Sequence, residues 1–192
     1  SKALEYYTKF LDVVKSRSSS SDQENDTRVN FSAIATALNN IGLCYIHLGE
    51  LEKALRVFEE ALEIHQEICR DEQAASVTLL NLGLCYKQLG MYERALECNT
   101  EAFEITRRLH NNGDHADICV CLENIAACRD YMHDYVAALD CYTTSLEMRH
   151  RLYKDDHPKV AASLNNVGMC LMNMGERTKA LEHLLHALAI YK

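Results

Sequence analysis

The chain has 192 residues, 48% of them apolar and 25% charged, with a single Pro and a formal net charge of −8. That profile is ordinary for a soluble, helix-rich protein, and the acidic balance argues against nucleic acid, which needs a basic stripe. No apolar run approaches the roughly 20 residues of a membrane helix, and no stretch reads as a secretory signal.

Taken in chain order, residues 1–15, "SKALEYYTKFLDVVK", read as a helix with Ala3 and Phe10 seven residues apart, the spacing of Ala54 and Ala61 further on. Residues 16–30 carry the run "SRSSSSDQENDTRV", rich in Ser and acids, and are expected to form a mobile surface linker that could also be a phosphorylated regulatory loop. From Ser32 the pattern becomes periodic. A first helix is expected over about Ser32 to Leu48 and a second over about Leu51 to Cys69, with Leu38, Ile41, Tyr45 and then Leu51, Leu55, Phe58, Leu62 on the apolar faces.

The same pair of helices then recurs. Asn40, Asn81, Asn124 and Asn166 are spaced by 41, 43 and 42 residues. Each is followed four residues later by a Cys (Cys44, Cys85, Cys128, Cys170) and fourteen later by Ala-Leu (Ala54, Ala95, Ala138, Ala180 begin the pairs). Nine residues after the Asn stand Gly49, Gly90, His133 and Gly175, which fit a left-handed residue closing the first helix; His is among the few other types enriched there. The repeats are therefore set at 31–71, 72–113, 114–155 and 156–192. In "HPKVAASL", Pro158 suits the first turn of a helix.

This pattern resembles the tetratricopeptide repeat (TPR), carried in the first unit by Leu38, Ile41, Gly42, Tyr45, Ala54, Phe58 and Ala61. The spacing near 42 and the linker "DDHPKVAASLNN" are similar to the kinesin light chain and nephrocystin-3 subgroup. The resemblance implies an all-α, right-handed α-solenoid of helix–turn–helix repeats. It implies that Gly42, Gly83 and Gly168 (Ala126 in the third unit) let paired helices approach closely. It also implies that the register Cys are small packing residues between the two helices of a unit. Residues 1–15 match a second helix of a preceding repeat, and the last helix exposes Leu184, Leu185 and Leu188, so a fragment of a longer array is expected.

Chemistry is sparse. Nine Cys is an odd number, and seven fall inside helical patterns, so reduced thiols in a cytoplasmic setting are expected. Cys119, Cys121 and Cys128 with His115 make a poor metal set, because Cys at i and i+2 point to different sides of a helix. Cys98 and Cys141 are expected packed or half-exposed. His183 and His186 read as a solvated pair, and His115 and His157, equivalent in their linkers, as turn residues. There is no phosphate loop, HExxH or GxSxG motif, so no catalysis, cofactor or metal is expected.

The first helices offer a binding surface instead. Offsets −4, 0, +3 and +7 from the register Asn share a face distinct from the packing face. In the four units this face carries Thr36, Asn40, Leu43, His47; Val77, Asn81, Leu84, Gln88; Val120, Asn124, Ala127, Tyr131; and Ala162, Asn166, Met169, Asn173. The resemblance places first helices on the concave side of the superhelix. An Asn ladder there could hydrogen-bond an extended peptide backbone, with Leu43, Leu84, Met169, Asn39, Leu80, Glu123 and Asn165 reading side chains; alternatively the Asn bond within the array. Basic residues on these helices are few, essentially Lys87 in the groove, which disfavours acidic ligands. The expected role is a protein-interaction module for a neutral, apolar or mildly basic peptide or partner helix. The alternatives are a spacer, end-to-end self-association through the terminal helix, or a kinesin-light-chain-like cargo adaptor.

Overall fold

Every repeat closes its first helix in the same way. Gly49, Gly90, His133 and Gly175 have φ of 75°, 75°, 63° and 85°. In each, this residue's N–H bonds back three residues and the next residue's N–H bonds back five, as in Gly49 to Ile46, Glu50 to Tyr45, His133 to Asp130 and Asp134 to Arg129. This is the left-handed closure expected from sequence, and it reverses the chain into the second helix. His133 holds the conformation with a 2.7 Å hydrogen bond between its Nδ1 and the Tyr135 hydroxyl.

The computed structural model describes Glu5, Thr8, Lys9 and residues 24–192, the side chains of 24–28 apart. The Ser-rich stretch of the linker and the body of the leading helix lie outside the described residues. The described residues form eight α-helices and no strand: α1 (Glu24–Leu48), α2 (Leu51–Glu63), α3 (Glu72–Gln88), α4 (Tyr92–Leu109), α5 (Ala116–Tyr131), α6 (Tyr135–Leu152), α7 (Pro158–Asn173) and α8 (Arg177–Ile190). The chain divides into two units, Ser1–Ala102 and Phe103–Lys192.

Two features differ from the sequence expectation. The first helix begins at Glu24, not near Ser32. The stretch "ENDTRVN" contains no Gly or Pro, so nothing in it prevents the helix from extending back into the polar linker. The second helix of the first repeat keeps its span but ends in a π-helical segment, Ile64–Cys69, closed by Arg70 at φ 50°. That segment turns Ile64 and His65 inward, where both are buried. Val29–Leu48 of α1 reaches the length and mean hydropathy, 1.2, of a membrane span. Its packing accounts for the apolarity, because Ile34, Ala35, Ala37, Leu38 and Ile41 form a core with Ala61 and Ile64.

Helix starts are also specified locally. Asp71 caps α3 by accepting from the Ala74 N–H, and Asp134 caps α6 through Ala137. His115 and His157 serve as caps too, each Nδ1 accepting an amide two residues on, from Asp117 and Lys159. That is the turn role expected for them, and Pro158 occupies the first turn of α7. The small residues also fall as expected. A Cβ on Gly42 would lie 2.5 Å from the Phe58 ring, one on Gly83 2.5 Å from Asn99, and one on Gly168 2.8 Å from Leu184.

Within Ser1–Ala102, α1 packs on α2 and α2 on α3. Within Phe103–Lys192, α5 packs on α6, α6 on α7, and α7 on α8. In each unit, therefore, a second helix is covered on both sides, by its own first helix and by the next.

Candidate functional site

All sixteen residues at the four offsets are unburied, whereas the residues turned toward the second helices (Leu38, Ile41, Leu79, Leu82, Leu122, Ile125, Leu164, Val167) are buried. The helical period alone produces this division, since offsets −4, 0, +3 and +7 cluster opposite the packing offsets −2, +1 and +2. On the open face of α1 and α3 stand Thr36, Asn40, Leu43 and His47 beside Val77 (52% exposed), Asn81, Leu84 and Gln88. On that of α5 and α7 stand Val120, Asn124, Ala127 and Tyr131 (55% exposed) beside Ala162, Asn166, Met169 (51% exposed) and Asn173.

The four register Asn are not equivalent. Asn40, Asn124 and Asn166 make no side-chain hydrogen bond among the described residues. Asn81 donates to the Oδ1 of Asn39, 3.3 Å away, and so is partly spent inside the array.

Two residues expected to read ligand side chains are engaged internally. Asn39 Nδ2 donates to Thr78 Oγ1 at 2.7 Å. Glu123 accepts from Ser163 Oγ at 2.7 Å and from Ser145 Oγ at 3.0 Å, and pairs with Arg149 at 2.8 Å. Arg149 also donates to the Lys159 carbonyl at 2.6 Å. The reason is positional. Offset −1 points sideways toward the following repeat, and both Asn39 and Glu123 bond the residue at offset −3 of that repeat. Asn165, at the same offset in the last repeat, is exposed.

The thiols also face a neighbour that the sequence did not specify. Cys85 Sγ donates to the carbonyl of Leu51 at 3.3 Å and Cys170 Sγ to that of Tyr135 at 3.5 Å. Leu51 and Tyr135 open the second helix of the preceding repeat, so these Cys pack across repeats rather than within their own pair. Burial pushes the Cys85, Cys121 and Cys170 thiols up to about 11, and a neighbouring acid (Glu52, Asp117 and Asp130, respectively) adds to it. Thiols held protonated are poor nucleophiles and poor metal ligands. Cys119 and Cys121 do diverge: the first meets the Ser145 carbonyl, the second Thr106. Cys98 and Cys141 are half-buried, as is Cys44, while Cys128 is fully buried.

The electrostatics of the face follow from which charges are already paired. Arg129 is bonded to Asp134 at 3.3 Å, and Lys159 is held by Tyr153, 3.2 Å from its hydroxyl and 5.2 Å from its ring centroid. Asp130 accepts from the neutral Asn173 amide, at 3.0 and 3.1 Å.

A family model described as tetratricopeptide repeat matches residues 33–108, 75–149 and 117–192. No curated protein matches the chain. Among solved structures, BtubC (BKLC) from P. vanneervenii is similar over 99% of this chain and 72% of its own, with 22% identity and a TM-score of 0.78. A Podosopora anserina chain of nearly identical TPR-like repeats, described as a kinesin light chain, is similar over 99% of this chain and 86% of its own, with 18% identity and a TM-score of 0.73. The fold is thus an all-α solenoid of kinesin-light-chain-like repeats.

Proposed function

The chain belongs to the tetratricopeptide-repeat family, a family of protein-interaction scaffolds, and on that premise we propose that the open faces of its first helices bind an extended peptide. The observation that carries this reading is the set of Asn40, Asn124 and Asn166. Each is unburied, makes no side-chain hydrogen bond among the described residues, and stands beside exposed apolar side chains. An Asn side chain presents one acceptor oxygen and two N–H donors, which matches the alternating C=O and N–H of a peptide backbone. Val77, Val120, Tyr131 and Met169 supply apolar contact beside them.

Charge narrows the ligand. With Arg129 and Lys159 engaged, Lys87 is the remaining Lys or Arg of the first helices among the described side chains, and Asp117 and Asp130 lack a Lys or Arg partner there. A neutral, apolar or mildly basic peptide suits these faces. An acidic peptide of the kind a cargo adaptor would grip does not. A cytoplasmic setting agrees with nine reduced thiols.

A peptide-display screen on the full chain tests the reading. Selected peptides should be depleted in Asp and Glu, and Asn124→Ala with Asn166→Ala should weaken their binding about tenfold or more. These two positions are chosen because their loss removes no internal bond, as Asn81→Ala would. Binding that survives the double variant overturns the ladder.

A second reading rests on α8. Leu181, Leu185 and Leu188 form an exposed stripe, Leu185 at 55%. Leu184, grouped with them on sequence, instead packs on Gly168. Self-association through this stripe predicts a size by light scattering that rises with concentration and falls back with Leu185→Glu.

A further inference from the structure

The turn from α4 to α5 and the turn from α6 to α7 cap the following helix in the same way and differ in chemistry. In both, the His that caps the next helix is covered by an aromatic ring from the turn. Tyr153 stacks on His157 with ring centroids 4.3 Å apart. His110 stacks on His115 with centroids 3.5 Å apart and planes 10° from parallel. Two residues past the cap stands Lys159 in one turn and Asp117 in the other. The second turn thus brings together Tyr, His and Lys, and the first His, His and Asp. The Lys159 ammonium closes onto the Tyr153 hydroxyl. In the other turn, Asp117 Oδ2 lies 3.5 Å from His115 Nδ1 and 3.9 Å from His110 Nε2. The donor atoms of these three side chains all fall within 4.8 Å of one another.

We propose that His110, His115 and Asp117 form a binding site for a divalent transition-metal cation of the zinc class. Two imidazoles and one carboxylate, with a fourth position open to water, are a ligand set such ions take. Metal–ligand bonds of about 2.0–2.2 Å in a tetrahedron separate the donors by roughly 3.4 Å, so the 3.5 and 3.9 Å separations bring all three donors within reach of one ion after side-chain rotation alone. The protonation state also fits. The Nδ1 of His115 already presents its lone pair, to the Asp117 amide, so its proton sits on Nε2. The cation takes that lone pair without displacing a proton once the His115 ring has turned away from the amide, which lies 3.2 Å from the nitrogen and is then left to water. His110 must rotate out of the stack, because a metal lies in the plane of each ligating ring and two parallel rings cannot share one. The Asp117 carboxylate offsets the positive end of α5. Bound metal would pin a turn that holds two successive non-Gly residues in left-handed conformation, Asn111 at φ 52° and Asn112 at φ 59°.

Titration of the metal-stripped full chain with zinc, followed by calorimetry, and with cobalt, followed by absorption, tests the site independently of any peptide. One equivalent should bind with a Kd in the micromolar range, and the cobalt spectrum should lack a thiolate charge-transfer band. Asp117→Lys installs the residue at the equivalent position of the other turn, and His110→Tyr keeps an aromatic ring over the cap as that turn does. Each should weaken zinc binding about tenfold or more. Binding weaker than about 100 μM, a thiolate band, or unchanged affinity in either variant overturns the site, the last pointing to other ligands such as His183 and His186.

Discussion

The thiol of Cys85 donates to the backbone carbonyl of Leu51, so this Cys serves the seam with the preceding repeat. Cys170 and Tyr135 repeat the relationship.

The raised thiols predict an alkaline weak point. Cys85, Cys121 and Cys170 titrate near 11 when folded, against an ordinary value of 9. Between these values the unfolded chain has released protons that the folded chain retains, so the stability that protonated thiols contribute is full below pH 9 and lost as pH rises toward 11. Urea midpoints measured from pH 8 to 11 should fall across that window. The fall should be shallower in Cys85→Ala. A flat profile would mean the thiols are not held protonated.

His65 predicts a loss at the acid end. It is 1% exposed, its Nδ1 has no hydrogen-bond partner, and burial lowers its pKa below 6.5, with Asp71 opposing. A depressed base contributes stability above the unfolded value that is lost as pH falls through the folded one. Thermal melts from pH 7.5 to 5 should show the decline, and His65→Phe should remove much of that slope.

The Glu123–Arg149 pair is the most enclosed ion pair among the described residues, with side chains 17% and 8% exposed. Arg149→Ala should cost about 3 kcal/mol, because it leaves a carboxylate with hydroxyls alone for partners. Replacing both partners, as Glu123→Leu with Arg149→Met, should cost clearly less than that single change. Urea denaturation of the three proteins decides it; an Arg149→Ala loss under about 1 kcal/mol would contradict the buried-pair account.

Glycines should fail for two separable reasons. At Gly168, a Cβ would meet Leu184 at 2.8 Å and the Ala180 carbonyl at 3.3 Å. Gly168→Ala should therefore cost about 1–3 kcal/mol through crowding. At Gly90 nothing lies within 4 Å of a Cβ, but φ is 75°. Gly90→Ala should cost about 1 kcal/mol through backbone strain. Shortening Leu184 to Val should ease the Gly168→Ala cost and leave that of Gly90→Ala unchanged.

Much of this architecture was legible in the residues, and the exceptions share a cause. Periodicity assigns each side chain an angle around its helix, which is why the open face, the close-approach glycines and the left-handed His133 were readable. An angle does not say which helix stands in that direction. Cys85 was thus assigned to its own pair, and Asn39 and Glu123 to the ligand, when all three point at an adjacent repeat. The start at Glu24 was missed because a polar, Ser-rich approach resembles a loop. The π-helical end of the first repeat left no compositional trace, since "IHQEIC" reads equally well as a continued α-helix.

The sideways bonds at offset −1 carry one more implication. Asn39 meets Thr78, whereas Glu123 meets Ser163 and, through Arg149, the start of the same helix. These partners are not interchangeable. Placing the fourth repeat after the first would retain a hydroxyl for Asn39, but placing the second after the third would crowd an extra methyl onto a carboxylate already shared among three donors. The repeats look like copies on their open faces, yet their edges work as keyed joints. A shuffled array would carry its order as a difference in stability, with the native succession as the one in which the joints of Asn39 and Glu123 both close.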